Sequence, residues 1–131
     1  MIDCDMSVAY RPGSCNIGRA EIARRRRSAV LVTGVAAIVA AFLVLSGGPP
    51  IVRLAIFPLA AAAAVTWLQV IRRFCVAFGA AGVRNFGSLG STERVDDPAE
   101  RAAHRSVAIR MIVEGVVYGA IATAILALMP V

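Results

Sequence analysis

Three apolar runs, each long enough to cross a bilayer, constrain this chain more than anything else in it. Residues 28–46 (SAVLVTGVAAIVAAFLVLS) are 19 residues without a charge. Residues 51–71 (IVRLAIFPLAAAAAVTWLQVI) carry one charge, Arg53, near their start. Residues 107–129 carry Arg110 and Glu114 in their first half. A hydrocarbon core of about 30 Å takes roughly 20 helical residues to cross. With no water there to bond, an isolated run satisfies its backbone only as a helix. Gly47-Gly48-Pro49-Pro50 stops the first helix and turns the chain at once. The expected fold is an all-α integral membrane protein of three transmembrane helices, the first two an antiparallel hairpin. A water-soluble bundle would need polar stripes that the first two runs lack. The 59% hydrophobic content and mean hydropathy of +0.75 leave too little polar surface for a soluble domain of 131 residues.

The third helix has a polar beginning. In Asp97-Pro98-Ala99-Glu100 the aspartate is placed to cap, proline takes the first helical position, and glutamate sits in the first turn. Helix three is therefore expected to begin near Pro98 and to carry a cytoplasmic extension before it enters the bilayer. The chain divides into an N-terminal cytoplasmic segment, 1–17, and a membrane domain, 18–131. The spans are about 28–46, 51–71 and 107–129, with a cytoplasmic loop at 72–106.

Arginine placement gives the orientation. All fourteen basic residues are arginine, which suggests the coding bias of a GC-rich bacterium. Six precede helix one, six lie between helices two and three, and the intervening turn has none, with Arg53 at its border. Basic residues are retained on the cytoplasmic side, so the expectation is an inner-membrane protein with its N-terminus inside and its C-terminus outside. Arg24, Arg25, Arg26, Arg27, Arg72 and Arg73 flank the spans and are candidates to hold anionic headgroups, at about 1 kcal/mol each. Arginines placed at the ends of apolar runs do not make a nucleic-acid-reading face. The first run also exceeds the roughly 7–15 apolar residues of a cleaved signal and lacks an A-x-A site, so it reads as an anchor. Residues 74–83 (FCVAFGAAGV) are too short to span. They are expected to lie in the interface, with Phe74, Phe78 and Phe86 dipping toward the acyl chains.

Few residues can carry chemistry. Cys4, Cys15, Cys75 and His104 all fall on the cytoplasmic side, where thiols stay reduced. Their spacing fits no zinc motif, so neither a metal nor a cofactor is expected. Cys15 precedes a helix N-terminus and nearby arginines, both of which lower a thiol pKa. The bland alternative is a small residue in a turn. Cys75 reads as a packed thiol. Within the spans, Arg110 and Glu114 share a helix face at i, i+4. Thr33, Thr66 and Gln69 lie at comparable depth, which suggests one intramembrane polar layer. Gly115-x-x-x-Gly119 and the alanines at 60–64 offer small-residue faces for close helix packing, against a membrane-protein partner or a second copy.

Asn16-Ile17-Gly18-Arg19-Ala20-Glu21, followed by Arg24 and Arg25, resembles the N-x-G-x-x-[DE] opening of a family of small bacterial inner-membrane proteins. Those proteins enter a transmembrane hairpin directly after the motif and carry a cysteine just past the second span. Cys75 stands at the matching place. The likeness covers about residues 15–82, with Glu21 where aspartate is usual and no proline after Cys75. Some members are fused to rhodanese domains, which handle sulfane sulfur. Two functions follow as expectations: a non-catalytic accessory or scaffold subunit of a larger membrane complex, or a thiol- or sulfur-handling membrane protein using Cys15 and Cys75.

Overall fold

A computed structural model describes residues 16–85 and 92–130. The elements in chain order are α1 (Arg19–Leu45), a 3-10 segment (Pro50–Ile56), α2 (Phe57–Arg72), α3 (Val76–Ala81), β1 (Val83–Arg84), β2 (Glu93–Arg94) and α4 (Pro98–Leu128). Three helices are long and apolar enough to cross a membrane: α1, α2 together with its 3-10 lead, and α4. α2 packs against both of the others.

The second span was expected to be α-helical throughout, and its first seven residues are a 3-10 helix instead. Pro58 is the cause. It has no N–H for the carbonyl of Leu54, and its ring crowds that carbonyl. Phe57 takes the Leu54 carbonyl in the tighter i→i+3 pattern.

α2 ends at Arg73, which adopts a left-handed conformation (φ 54°, ψ 42°) and donates its N–H to the carbonyl of Gln69. A non-glycine residue there costs about 1 kcal/mol or more. The reversal sends Phe74 back into the bundle, where it forms the core with Ala108 and Met111. The interfacial placement expected for Phe74 is thereby corrected. Its ring is fully buried and stands edge-on to His104, with centroids 5.5 Å apart. Gly79 makes room for it: a Cβ there would lie 2.6 Å from the Phe74 ring and 3.0 Å from the His104 carbonyl. Phe86 lies outside the described residues.

β1 and β2 form a two-residue antiparallel pair, Val83 opposite Arg94 and Arg84 opposite Glu93. Arg84 ties this pair to α4 through Glu100 at 3.1 Å. α4 opens as the sequence indicates, with the Asp97 side chain accepting the Ala99 N–H at 3.0 Å and proline in the first turn.

The buried positions of α4 are His104, Ala108, Met111, Gly115, Gly119 and Thr123. They recur every three or four residues, which is one helical face. Its glycines let α2 come close, at the Val65 side chain and at the Ala61 backbone. A Cβ on Gly115 would lie 2.2 Å from Val65 Cγ2, and one on Gly119 would lie 2.7 Å from both Cα and N of Ala61. Gly115 and Gly119 of α4 are therefore packed against Val65 and Ala61 of α2 within the chain. At the far end of this contact Arg53, 2% exposed, reaches from the 3-10 segment to the end of α4. It donates to the carbonyls of Leu126 (3.2 Å) and Met129 (2.9 Å), at the negative end of the helix dipole.

Gly119→Val should lower the melting temperature in detergent sharply. The overlap is with Ala61 backbone, which cannot rotate away, and overpacking of this kind costs about 1–3 kcal/mol. Gly34→Ala on α1 is the control: nothing lies within 4 Å of its Cβ, so it should be neutral or stabilising. Equal losses for both variants would remove the close-packing account.

Candidate functional site

At the arginine-rich end of the bundle, four separate segments meet around Cys75. Asn16 grips the Cys75 backbone from both sides: its Oδ1 accepts the Cys75 N–H at 2.6 Å, and its Nδ2 donates to the Cys75 carbonyl at 3.0 Å. The backbone of Asn16 donates to the Arg73 carbonyl (3.2 Å) and accepts the Asn85 N–H (2.8 Å). Gly18 N–H donates to the Asn85 carbonyl at 2.8 Å, completing a parallel bridge between Ile17 and Asn85. Gln69 supports the turn from beneath, its Oε1 accepting the Val76 N–H at 3.1 Å. Asn16, Ile17, Cys75 and Asn85 are all fully buried.

The thiol itself has a partner. Arg25, on α1, donates from Nη2 to Cys75 Sγ at 2.9 Å, and its guanidinium stands 5.9 Å above the Phe78 ring. Glu21, one turn earlier on the same face of α1, is 1% exposed. Asn85 Nδ2 donates to its Oε1 at 3.3 Å, while its Oε2 has no partner among the described residues. On its own helix Glu21 has Arg24 and Arg25 three and four residues away. In the fold it turns instead to Asn85, and Arg25 turns to Cys75. Cys4 and Cys15 lie outside the described residues.

The residues expected to form one polar layer are distributed among separate contacts. Glu114 forms an ion pair with Arg72 of α2, and not with Arg110. Trp67 Nε1 donates to Thr33 Oγ1 at 2.7 Å, joining α2 to α1. Thr66 bonds the Ala62 carbonyl of its own helix at 2.6 Å. Gln69 works at the turn, and Arg110 is exposed on α4. Of the candidate headgroup-binding arginines, Arg24, Arg26 and Arg27 are exposed, whereas Arg25 and Arg72 are engaged with Cys75 and Glu114. Arg73 is half-buried at the left-handed turn. Gly115 and Gly119 face α2, as described above.

No group of three or more metal-binding side chains occurs among the described residues. An open apolar groove of about 400 Å³ between Leu54, Phe57, Ala120, Thr123 and Ala124 presents no reactive group, since the Thr123 hydroxyl donates to the Gly119 carbonyl. His104, fully buried beside Phe74, has its pKa lowered from the usual 6.5. Burial is the main cause; Glu100 opposes it and Arg84 adds to it.

Compared with known proteins, the chain matches no family model, no curated sequence and no solved structure. The site is therefore read from its own geometry. Sequence reasoning picked out Asn16, Gly18, Glu21 and Cys75 as a motif, but gave no sign that they meet. It missed Asn85, a single amide in a short polar stretch with no periodicity to mark it, and it missed the Arg25–Cys75 contact. It also overlooked Arg72 as the counter-ion of Glu114, because an i, i+4 neighbour on the same helix looked sufficient.

Two outcomes follow. Because folding buries His104 in its neutral form, the unfolded chain binds more protons just below pH 6.5. Stability should hold above that value and fall as pH drops toward the lowered folded pKa; in a thermal melt series from pH 8 to 5, His104→Gln should flatten the decline. Arg72→Met should destabilise the protein more than Arg110→Met, since it leaves the Glu114 carboxylate alone. Adding Glu114→Gln to Arg72→Met should recover most of the loss. Equal effects of the two single arginine variants would remove the Arg72 assignment.

Proposed function

We propose that this is a small three-span integral membrane protein, its first two spans an antiparallel hairpin, with the arginine-rich end in the bacterial cytoplasm and the C-terminal end outside. Contacts that descend along α2 as they ascend along its neighbours support that course: Arg25 with Cys75 and Thr33 with Trp67, then Glu114 with Arg72, Gly115 with Val65 and Gly119 with Ala61. Side chains such as Ile38, Phe42 and Leu45 on α1 are about 70–80% exposed, which suits a lipid solvent. The arginine asymmetry sets the orientation.

Of the two functions open in the sequence, the site geometry favours thiol or sulfur handling at Cys75. The observation that carries it is the guanidinium of Arg25 held 2.9 Å from a cysteine whose backbone is clamped by Asn16. The thiolate is the nucleophilic form of cysteine, and a fixed guanidinium is the counter-ion such a sulfur needs. The resemblance over residues 15–82 points the same way, since Asn16, Gly18, Glu21 and Cys75 belong to one connected site. Reaction with an incoming disulfide or persulfide requires the clamp to loosen, because Cys75 is fully buried at rest. The accessory-subunit reading keeps one support: α1 touches α2 and leaves most of its own apolar surface open.

In a Cys4→Ser/Cys15→Ser background, a membrane-impermeant maleimide should leave Cys75 unlabelled in intact cells and label it slowly in inverted vesicles. Asn16→Ala should accelerate the second reaction severalfold. Cys75→Ser and Arg25→Gln should each abolish growth under sulfur or oxidative stress at unchanged protein abundance. Normal growth of both variants would remove the thiol reading, and labelling from outside would reverse the orientation.

A further inference from the structure

Arg72 takes the only carboxylate within the apolar runs, and this leaves Arg110 with a charge to place. Among the described residues Arg110 has no ion pair or hydrogen bond from its side chain, and it is exposed. The buried face of α4 runs through His104, Ala108, Met111, Gly115 and Gly119. At about 100° per residue, Arg110 points roughly 140° away from the middle of that face. Ser106, also exposed, lies one turn before it on the same stripe. One, two and three turns beyond it on that stripe come Val113, Val117 and Ile121, each about half exposed. The outward face of α4 is thus a cation and a hydroxyl followed by an apolar strip, the layout of a headgroup and a chain.

We propose that Arg110 and Ser106 bind the phosphate of an anionic phospholipid, whose acyl chain lies along Val113, Val117 and Ile121. The site rests on the membrane reading above. Arg110 lies three residues into the apolar run, about 4.5 Å along the axis, a depth from which an arginine reaches phosphates by extending along the helix. A guanidinium offers two parallel N–H donors to phosphate oxygens, and Ser106 adds a hydroxyl. A zwitterionic lipid supplies its own cation to its phosphate. An anionic one leaves that phosphate charge unmatched, so the site selects for net negative lipid. The exposed Arg24, Arg26 and Arg27 on α1 attract the same lipids more diffusely, without an apolar strip assigned to a chain.

The full chain, reconstituted in phosphatidylcholine nanodiscs with a minor share of phosphatidylglycerol, can be released and its retained lipids counted by native mass spectrometry. Wild-type protein should keep phosphatidylglycerol that Arg110→Gln loses, with roughly fivefold weaker retention, the effect of about 1 kcal/mol per arginine near the surface. Arg110→Lys should retain part of it, keeping the charge without the fork. An Arg26→Gln/Arg27→Gln pair should leave this lipid in place. Arg110→Gln should melt like the wild type, since no intrachain partner is lost. Undiminished phosphatidylglycerol on inserted Arg110→Gln protein would overturn the site alone. A changed subunit number with unchanged lipid would overturn it too, by assigning the anion to a second copy. Failure of the wild type to enter nanodiscs would overturn the membrane reading itself.

Discussion

The bundle depends on how closely α4 approaches α2. On the membrane reading proposed above, lipid gives apolar helices no hydrophobic gain from meeting, and short-range packing with the polar contacts it permits is what holds them. Gly115 and Gly119 remove the side chains that would keep the two backbones apart, leaving Val65 and Ala61 in direct contact with α4. Two polar contacts depend on this spacing. Arg72 meets Glu114 on one side of the glycines, and Arg53 meets the last carbonyls of α4 on the other. A residue with a side chain at either glycine acts on all three contacts together.

The opposite device operates where α1, α2 and α3 converge. There the chain is held by amides. Asn16 and Asn85 supply both backbone and side-chain groups, and between them they bond segments 59 and 64 residues apart in sequence. Buried polar groups of this kind stabilise a single arrangement only when nearly all are satisfied. The exceptions here, the second oxygen of Glu21 and the Nε of Arg25, lie on the same helix face that reaches Cys75. Unspent hydrogen-bonding capacity thus stands beside the thiol.

Much of the architecture was legible because it follows from local chemistry. The absence of charge over 28–46, the Gly-Gly-Pro-Pro turn and the Asp97-Pro98 start each act within a few residues, and the helices form where those signals place them. The middle span was legible in extent but not in kind, since the effect of Pro58 on the turn before it competes with the helical tendency of the whole run. Pairings were harder. A glutamate has several arginines within reach, and sequence spacing ranks only those on its own helix. The register between α2 and α4, set by two glycines, brings Arg72 rather than Arg110 to Glu114. Phe74 was misplaced for a related reason: a left-handed arginine carries no mark in the sequence as a glycine would, so the reversal that buries the ring was invisible.

Arg53 also bears on the order in which the molecule is completed. A chain emerges from the ribosome N-terminus first, and the carbonyls that Arg53 caps lie 73 and 76 residues downstream of it. An α1–α2 pair that formed before those residues were made would carry this guanidinium at its far end with these acceptors still untranslated. In that interval these two acceptors are missing from its shell. α4 brings them: two carbonyls that would otherwise be orphaned at a helix end. α4 thus acts as the bolt on a door already hung: a chain not yet extended through it lacks two of the acceptors that hold Arg53 in the complete bundle.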